Sequence, residues 1–112
     1  MMKIMDNNFM TRYRKSIEHL NRAEKTIPLG SQTFSKSRTQ YPVGISPLYA
    51  SKSKGAKIWD VDGNEYLDML CAYGPIIFGH REEEIDNAVI AQIQNKGFCF
   101  SLTQEIQNKL AN

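Results

Sequence analysis

Asp60, Asp62 and Asn64 place side-chain oxygens at alternating positions, and that spacing matches the first three ligands of a calcium loop. The match ends there. Glu65 stands where the loop needs glycine, and Cys71 stands where it needs a bidentate glutamate. The three residues therefore read as the polar tip of a turn. His19 and His80 are remote from any Cys or His cluster, so zinc has no ligand set. Ser51 to Gly55 (SKSKG) lacks P-loop spacing. Cys71 and Cys99 sit among apolar neighbours with no base beside them, and read as free thiols rather than nucleophiles or a disulfide. His80 has two readings, a general base or a structural group whose ring satisfies loop backbone. Its place after Gly79, at a turn into a helix, favours the second.

These residues need elements to hold them. Ala56–Asp60 and Glu65–Met69 are short runs of β-formers, and Asp62-Gly63-Asn64 between them tolerates positive φ, so a β-hairpin is predicted. A strand is predicted ahead of it over Leu48–Ser51. Tyr13, Ile17, Leu20 and Ile27 form one stripe of a helix from about Thr11 to Thr26, ended by Pro28 and Gly30. Leu29–Pro47 is a long loop rich in hydroxyls, and loops of that length are usually functional or mobile. A helix begins near Glu82 with three glutamates at its positive end. Ile85, Ala88, Val89 and Ile93 make its apolar face, and Lys96 and Gly97 close it. A last helix starts near Thr103.

The composition is that of an ordinary globular protein, with 41% hydrophobic and 23% charged residues in 112. No apolar run approaches the ~20 residues of a membrane span. The first fifteen residues lack a continuous apolar segment, so a cytoplasmic protein is expected. Residues 1–40 carry eight basic and three acidic residues, and residues 41–112 carry six and nine. The basic third reads as a solvated helix face, because no aromatic pattern interleaves with it as nucleic-acid binding would require. Ile76, Ile77, Phe78, Phe98 and Phe100 have no obvious partner surface in so short a chain, so further polypeptide or an obligate partner is expected to cover them.

The order of motifs resembles the start of a class III pyridoxal-phosphate (PLP) aminotransferase, closest to the glutamate-1-semialdehyde aminomutase-like group. The strings TIPLGSQTFSKS, GAKIWDVDGNEYLD, AYGP, FGH and a helix closed by KGFCF follow one another over roughly residues 13–112. The resemblance implies an α+β segment of a fold type I enzyme: an N-terminal helix, a small antiparallel sheet and amphipathic helices. Residues 1–10 are expected to be disordered, and the large PLP-binding domain to lie outside this chain. By the same resemblance Tyr73 lines the substrate side of the cofactor pocket; as an isolated residue it reads equally well as a packed aromatic. Thr33 and Lys36 take positions where the aminomutases have Ser and Arg. A lysine meets a carboxylate without the bidentate fork of arginine, which disfavours glutamate-1-semialdehyde as substrate. HREEE after Gly79 and Thr103 in place of a proline are further departures.

The family's Schiff-base lysine, pyridinium acid and phosphate donors are expected beyond residue 112, and Lys52, Lys54 and Lys57 do not match the lysine's context. Two functions stay open: the N-terminal part of an aminotransferase or aminomutase, homodimeric and acting on a small amino or keto compound, or a non-catalytic fragment that docks on a full-length enzyme. An unrelated nucleic-acid binder is the weakest reading. No metal is expected.

Overall fold

The computed structural model describes residues 12–98 and 102–111. The expectations for residues 1–10, Cys99 and Phe100 lie outside them. The chain divides into two compact units, residues 1–80 and 81–112.

In the first unit, helix α1 (Arg14–Ala23) is followed by short 3-10 turns at Pro28–Gly30 and Phe34–Lys36. The strands β1 (Ala50–Lys54), β2 (Lys57–Asp60) and β3 (Glu65–Leu67) then form an antiparallel sheet in the order β1-β2-β3. Another 3-10 turn spans Cys71–Tyr73. The predicted hairpin is present, with Ile58 opposite Tyr66 and Trp59 opposite Glu65. The first strand is displaced from Leu48–Ser51 to Ala50–Lys54, so SKSK is a strand. Its register is set by the tight return at Gly55-Ala56, which puts Lys54 opposite Lys57. A bulge between Ala50 and Lys52 lets the Ser51 hydroxyl reach the carbonyls of Trp59 (3.1 Å) and Asp60 (2.9 Å).

The hairpin turn is an organising centre rather than a solvated tip. Asp60 is 2% exposed. Its Oδ1 accepts from the amides of Asp62 (3.0 Å) and Asn64 (2.8 Å), and its Oδ2 accepts from Asn64 Nδ2 (2.8 Å) and the Tyr66 hydroxyl (2.9 Å). Asp62 turns the other way. Tyr13, at the N-cap of α1, provides no side-chain cap. The Asp62 carboxylate takes that role from far along the chain, accepting from the Lys15 amide (2.7 Å, 47 residues away), the Ser16 amide (2.9 Å, 46 away) and the Ser16 hydroxyl (2.7 Å). Asn64 Nδ2 also donates to the Arg12 carbonyl (3.2 Å).

The apolar core under this junction is small: Tyr13 and Leu20 of the predicted stripe are buried, Ile17 is half-buried, and Ile27 lies past the helix end and is exposed. At that end Gly30 has φ +64°, and a Cβ there would come within 2.6 Å of Leu20 Cδ1. Leu29–Pro47 is less irregular than expected. Ser37 is 1% exposed, its hydroxyl donates to the Phe34 carbonyl (2.7 Å), and its own carbonyl accepts from the Gln40 and Tyr41 amides (3.0 Å each).

In the second unit, α2 (Glu83–Lys96) begins where predicted. Glu82 caps it by accepting from the Ile85 amide (2.9 Å), and Gly97 ends it with φ +86°. Ile85, Val89 and Ile93 are exposed along one face. α3 spans Glu105–Ala111, two residues later than the predicted start. Among the described residues no helix is long and apolar enough to cross a membrane.

Two outcomes follow for stability. Burial by itself raises the Asp62 carboxyl, but the Ser16 hydroxyl and the Ser16 and Lys15 amides outweigh it and hold the group below its ordinary value. A depressed folded pKa contributes stability that is complete above the unfolded value, about pH 4, and is lost as pH falls through the folded one. Asp62→Ala is expected to lower stability by about 1–2 kcal/mol, the usual cost of a lost N-cap. It should also flatten the loss of stability below about pH 4, as read by thermal melts at stepped pH; equal melting temperatures for variant and parent would contradict the cap. Ile77 and Phe78 are 78% and 72% exposed. The chain alone is therefore expected to self-associate or to melt broadly. Sedimentation velocity giving a monomer, together with a sharp cooperative transition, would refute that.

Candidate functional site

A cleft of about 690 Å³ opens in the first unit, between the C-terminal end of α1, the loop that follows it and the inner face of the sheet. Leu20, Ile27, Leu29, Ile58, Tyr66 and Leu70 supply apolar walls, and Lys36, Arg38, Asp68 and His80 bring polar side chains to it. Such a mixture, mostly apolar with few polar groups, is what small-molecule sites use.

Each polar group has a defined setting. Tyr49, also on the wall, donates its hydroxyl to the Gly30 carbonyl (2.7 Å), and its ring centroid is 5.6 Å from that of His19. Burial, then the nearby Glu24 charge, raises the Tyr49 pKa. Burial also raises that of Tyr66, with help from hydrogen bonds to Tyr13 and Asp60. Both phenols are held as neutral donors. Asp68 Oδ2 lies 2.7 Å from His80 Nε2, and its Oδ1 accepts from the Leu70 (2.9 Å) and Cys71 (3.1 Å) amides. The His80 contact first, then the Leu70 amide, pull the Asp68 carboxyl down. The backbone of His80 exchanges two 2.8 Å hydrogen bonds with Gly55. A Cβ on Gly79 would come 3.0 Å from the Gly55 Cα, so this crossing needs glycine. The structure thus favours the structural reading of His80, with one change: the ring pairs a carboxylate, not loop backbone. Asp68 as its partner was not legible in the sequence; the only signal was an acid closing the hairpin.

The three residues singled out in the sequence are placed differently. Lys36 lines the cleft and makes no ion pair among the described residues. Thr33 precedes the Phe34–Lys36 turn, exposed, with its hydroxyl 3.2 Å from that of Ser35. Tyr73 is 67% exposed and does not line the cleft. It ends a run of three left-handed residues, Cys71 (φ 47°), Ala72 (φ 51°) and Tyr73 (φ 65°), before Gly74 (φ 117°). Left-handed backbone costs about 1–2 kcal/mol for each non-glycine residue, and strain of this kind concentrates at functional sites.

The described residues do not by themselves form a PLP site. A phosphate seeks free amides at a helix N-terminus. Those of α1 are taken by Asp62, and α2 opens with Glu83, Glu84 and Asp86. Asp68, a candidate acid for a pyridinium nitrogen, is engaged with His80. Among the described residues there is also no cluster of His, Cys, Asp or Glu able to hold a metal ion.

Comparison with known proteins places this geometry. A family model described as "Aminotransferase class-III" matches residues 40–112. A 3-aminobutyryl-CoA aminotransferase of Cloacimonas acidaminovorans is 52% identical over 96 residues, covering 86% of this chain and 23% of the relative. A glutamate-1-semialdehyde 2,1-aminomutase 2 of Bacillus mycoides is 38% identical over 102 residues, covering 91% and 23%. Among solved structures, the PLP internal aldimine form of the FumI protein of Sphingopyxis sp. MTA144 superposes with a TM-score of 0.70 at 35% identity, covering 90% of this chain and 23% of that one. The chain thus spans about a quarter of the length of the curated relatives it matches. The α+β arrangement of helix, hairpin sheet and helices is the one such an enzyme carries over this stretch, and the chain belongs to the class-III aminotransferase family.

Proposed function

We propose that residues 1–112 serve as the N-terminal segment of a PLP-dependent aminotransferase that moves an amino group on a small keto or aldehyde compound. The PLP-binding domain is contributed by polypeptide outside this segment. The observation that carries this reading is the 52% identity to an aminotransferase along 86% of the chain. The preferred substrate is a β-amino acyl thioester of coenzyme A rather than a free amino acid such as glutamate-1-semialdehyde. A thioester has no carboxylate at that end to be gripped by a bidentate arginine, and a lysine meets phosphate oxygens well as a point charge. Lys36, at the cleft and in no ion pair among the described residues, supplies such a charge.

In this reading Thr33 and Lys36 face the substrate from the loop after α1, and Tyr73 packs over the plane of cofactor and substrate. The strained turn at Cys71–Tyr73 supports a functional role for Tyr73, since backbone strain of this kind concentrates at functional sites. The active protein is a homodimer located in the cytoplasm. No nucleic-acid role is proposed, because the basic N-terminal third carries no interleaved aromatic pattern for stacking on bases.

Lys36→Ala in the active enzyme is expected to weaken binding of an anionic substrate by about 1–3 kcal/mol, seen as a raised KM with PLP retained. Tyr73→Ala should lower kcat without lowering the melting temperature. Steady-state kinetics that leave both constants unchanged, with a lower melting temperature for Tyr73→Ala, would return all three residues to structural roles. The 112-residue chain alone is expected to form no stoichiometric lysine adduct with PLP after borohydride reduction, and mass spectrometry locating one on a single lysine would sink that expectation.

A further inference from the structure

The Glu24–Arg38 ion pair joins the end of α1 to the loop that carries Lys36. Glu24 is the C-cap residue of α1, so its position is set by the helix. Arg38 lies two residues after Lys36, and the residue between them is the buried Ser37. Around Ser37 the chain is closed by short-range bonds. The hydroxyl donates to the Phe34 carbonyl (2.7 Å), and the Thr39 hydroxyl lies 2.6 Å from it. The Ser37 amide also donates to the Phe34 carbonyl (3.1 Å). The segment is therefore tied internally, and the ion pair joins it by side chains to the end of the helix.

We propose that Glu24 and Arg38 are positioning residues for Lys36, holding its ammonium at the rim of the cleft. This rests on the reading of Lys36 as a substrate-facing group. Arg38 also lines the cleft, but with its guanidinium engaged by Glu24 it acts as the anchor and leaves Lys36 as the cationic side chain there with no ion pair among the described residues. The arrangement separates a cation that holds the loop from a cation that meets the ligand. Removing Glu24 would free Arg38 as well as loosen the loop, so the two partners must be tested separately and together.

The test is a charge exchange in the active enzyme: E24R, R38E and the double variant E24R/R38E. Each single variant is expected to speed amide hydrogen exchange at Ser37, Gln40 and Tyr41 by about threefold to fivefold, the range set by a partly exposed ion pair. Each should raise KM for the acyl substrate by a similar factor, with kcat and melting temperature unchanged. The double variant should restore both readouts, which a general loss of packing would not do. Exchange rates that stay at the parental value in both single variants, or a double variant no better than the singles, would overturn the proposal. The hydrogen-exchange arm does not depend on substrate. If Lys36→Ala leaves KM unchanged, the substrate role of Lys36 fails, and the exchange rates still decide whether the pair holds the loop.

Discussion

The carboxylate of Asp62 on the first turn of α1 is the contact on which the first unit depends. A helix N-terminus leaves amides without partners, and a short helix with little apolar burial cannot leave them so. α1 has ten residues, and Ser16 and Leu20 are the ones it buries. A distant carboxylate supplies what its own N-cap lacks, and in doing so ties the start of the helix to the hairpin turn. Asp60 makes this possible: by gathering two backbone amides, an amide side chain and a phenol, it sets the turn from which Asp62 projects. The end of α1 then carries Gly30 and the loop beyond it.

Much of this was legible in the sequence where local chemistry decides. Pro28 and Gly30 mark the helix stop, Asp62-Gly63-Asn64 marks the hairpin turn, and the glutamates and Gly97 bracket α2. Each signal acts within a few residues of what it specifies. The misplacements came where distant residues decide. The first strand follows its pairing with β2 rather than its own apolar content, so polar SKSK carries no local strand signal and Leu48–Ser51 does. Alternating oxygens from Asp60 to Asn64 look the same in sequence whether they serve a cation or a turn, and only the fold brings Ser16 and Lys15 to them. The pairing of Asp68 with His80 spans twelve residues and has no local mark.

The cleft shows the same division between residues that build and residues that remain available. Asp60, Asp68, His80, Tyr49 and Tyr66 all line it, and their polar atoms are engaged by other groups of the fold. Lys36 stands apart, with no ion pair among the described residues, beside apolar walls. A charge left unpaired at such a place gives the fold little, and a site is read more reliably from what the structure does not consume than from what is merely polar.

The long-range cap also bears on the order of folding. During synthesis α1 leaves the ribosome before the hairpin exists. At about 5–20 residues per second, the roughly 46 residues that separate Ser16 from Asp62 take about two to nine seconds to appear. Isolated helices of this length are marginal in water, and for that interval α1 has neither its cap nor its sheet. The hairpin, whose turn contacts are local, can close within microseconds of its emergence. This early helix is therefore among the last elements of its unit to become permanent, and the nascent segment is exposed to chaperones and proteases until the turn at Asp60–Asn64 has formed.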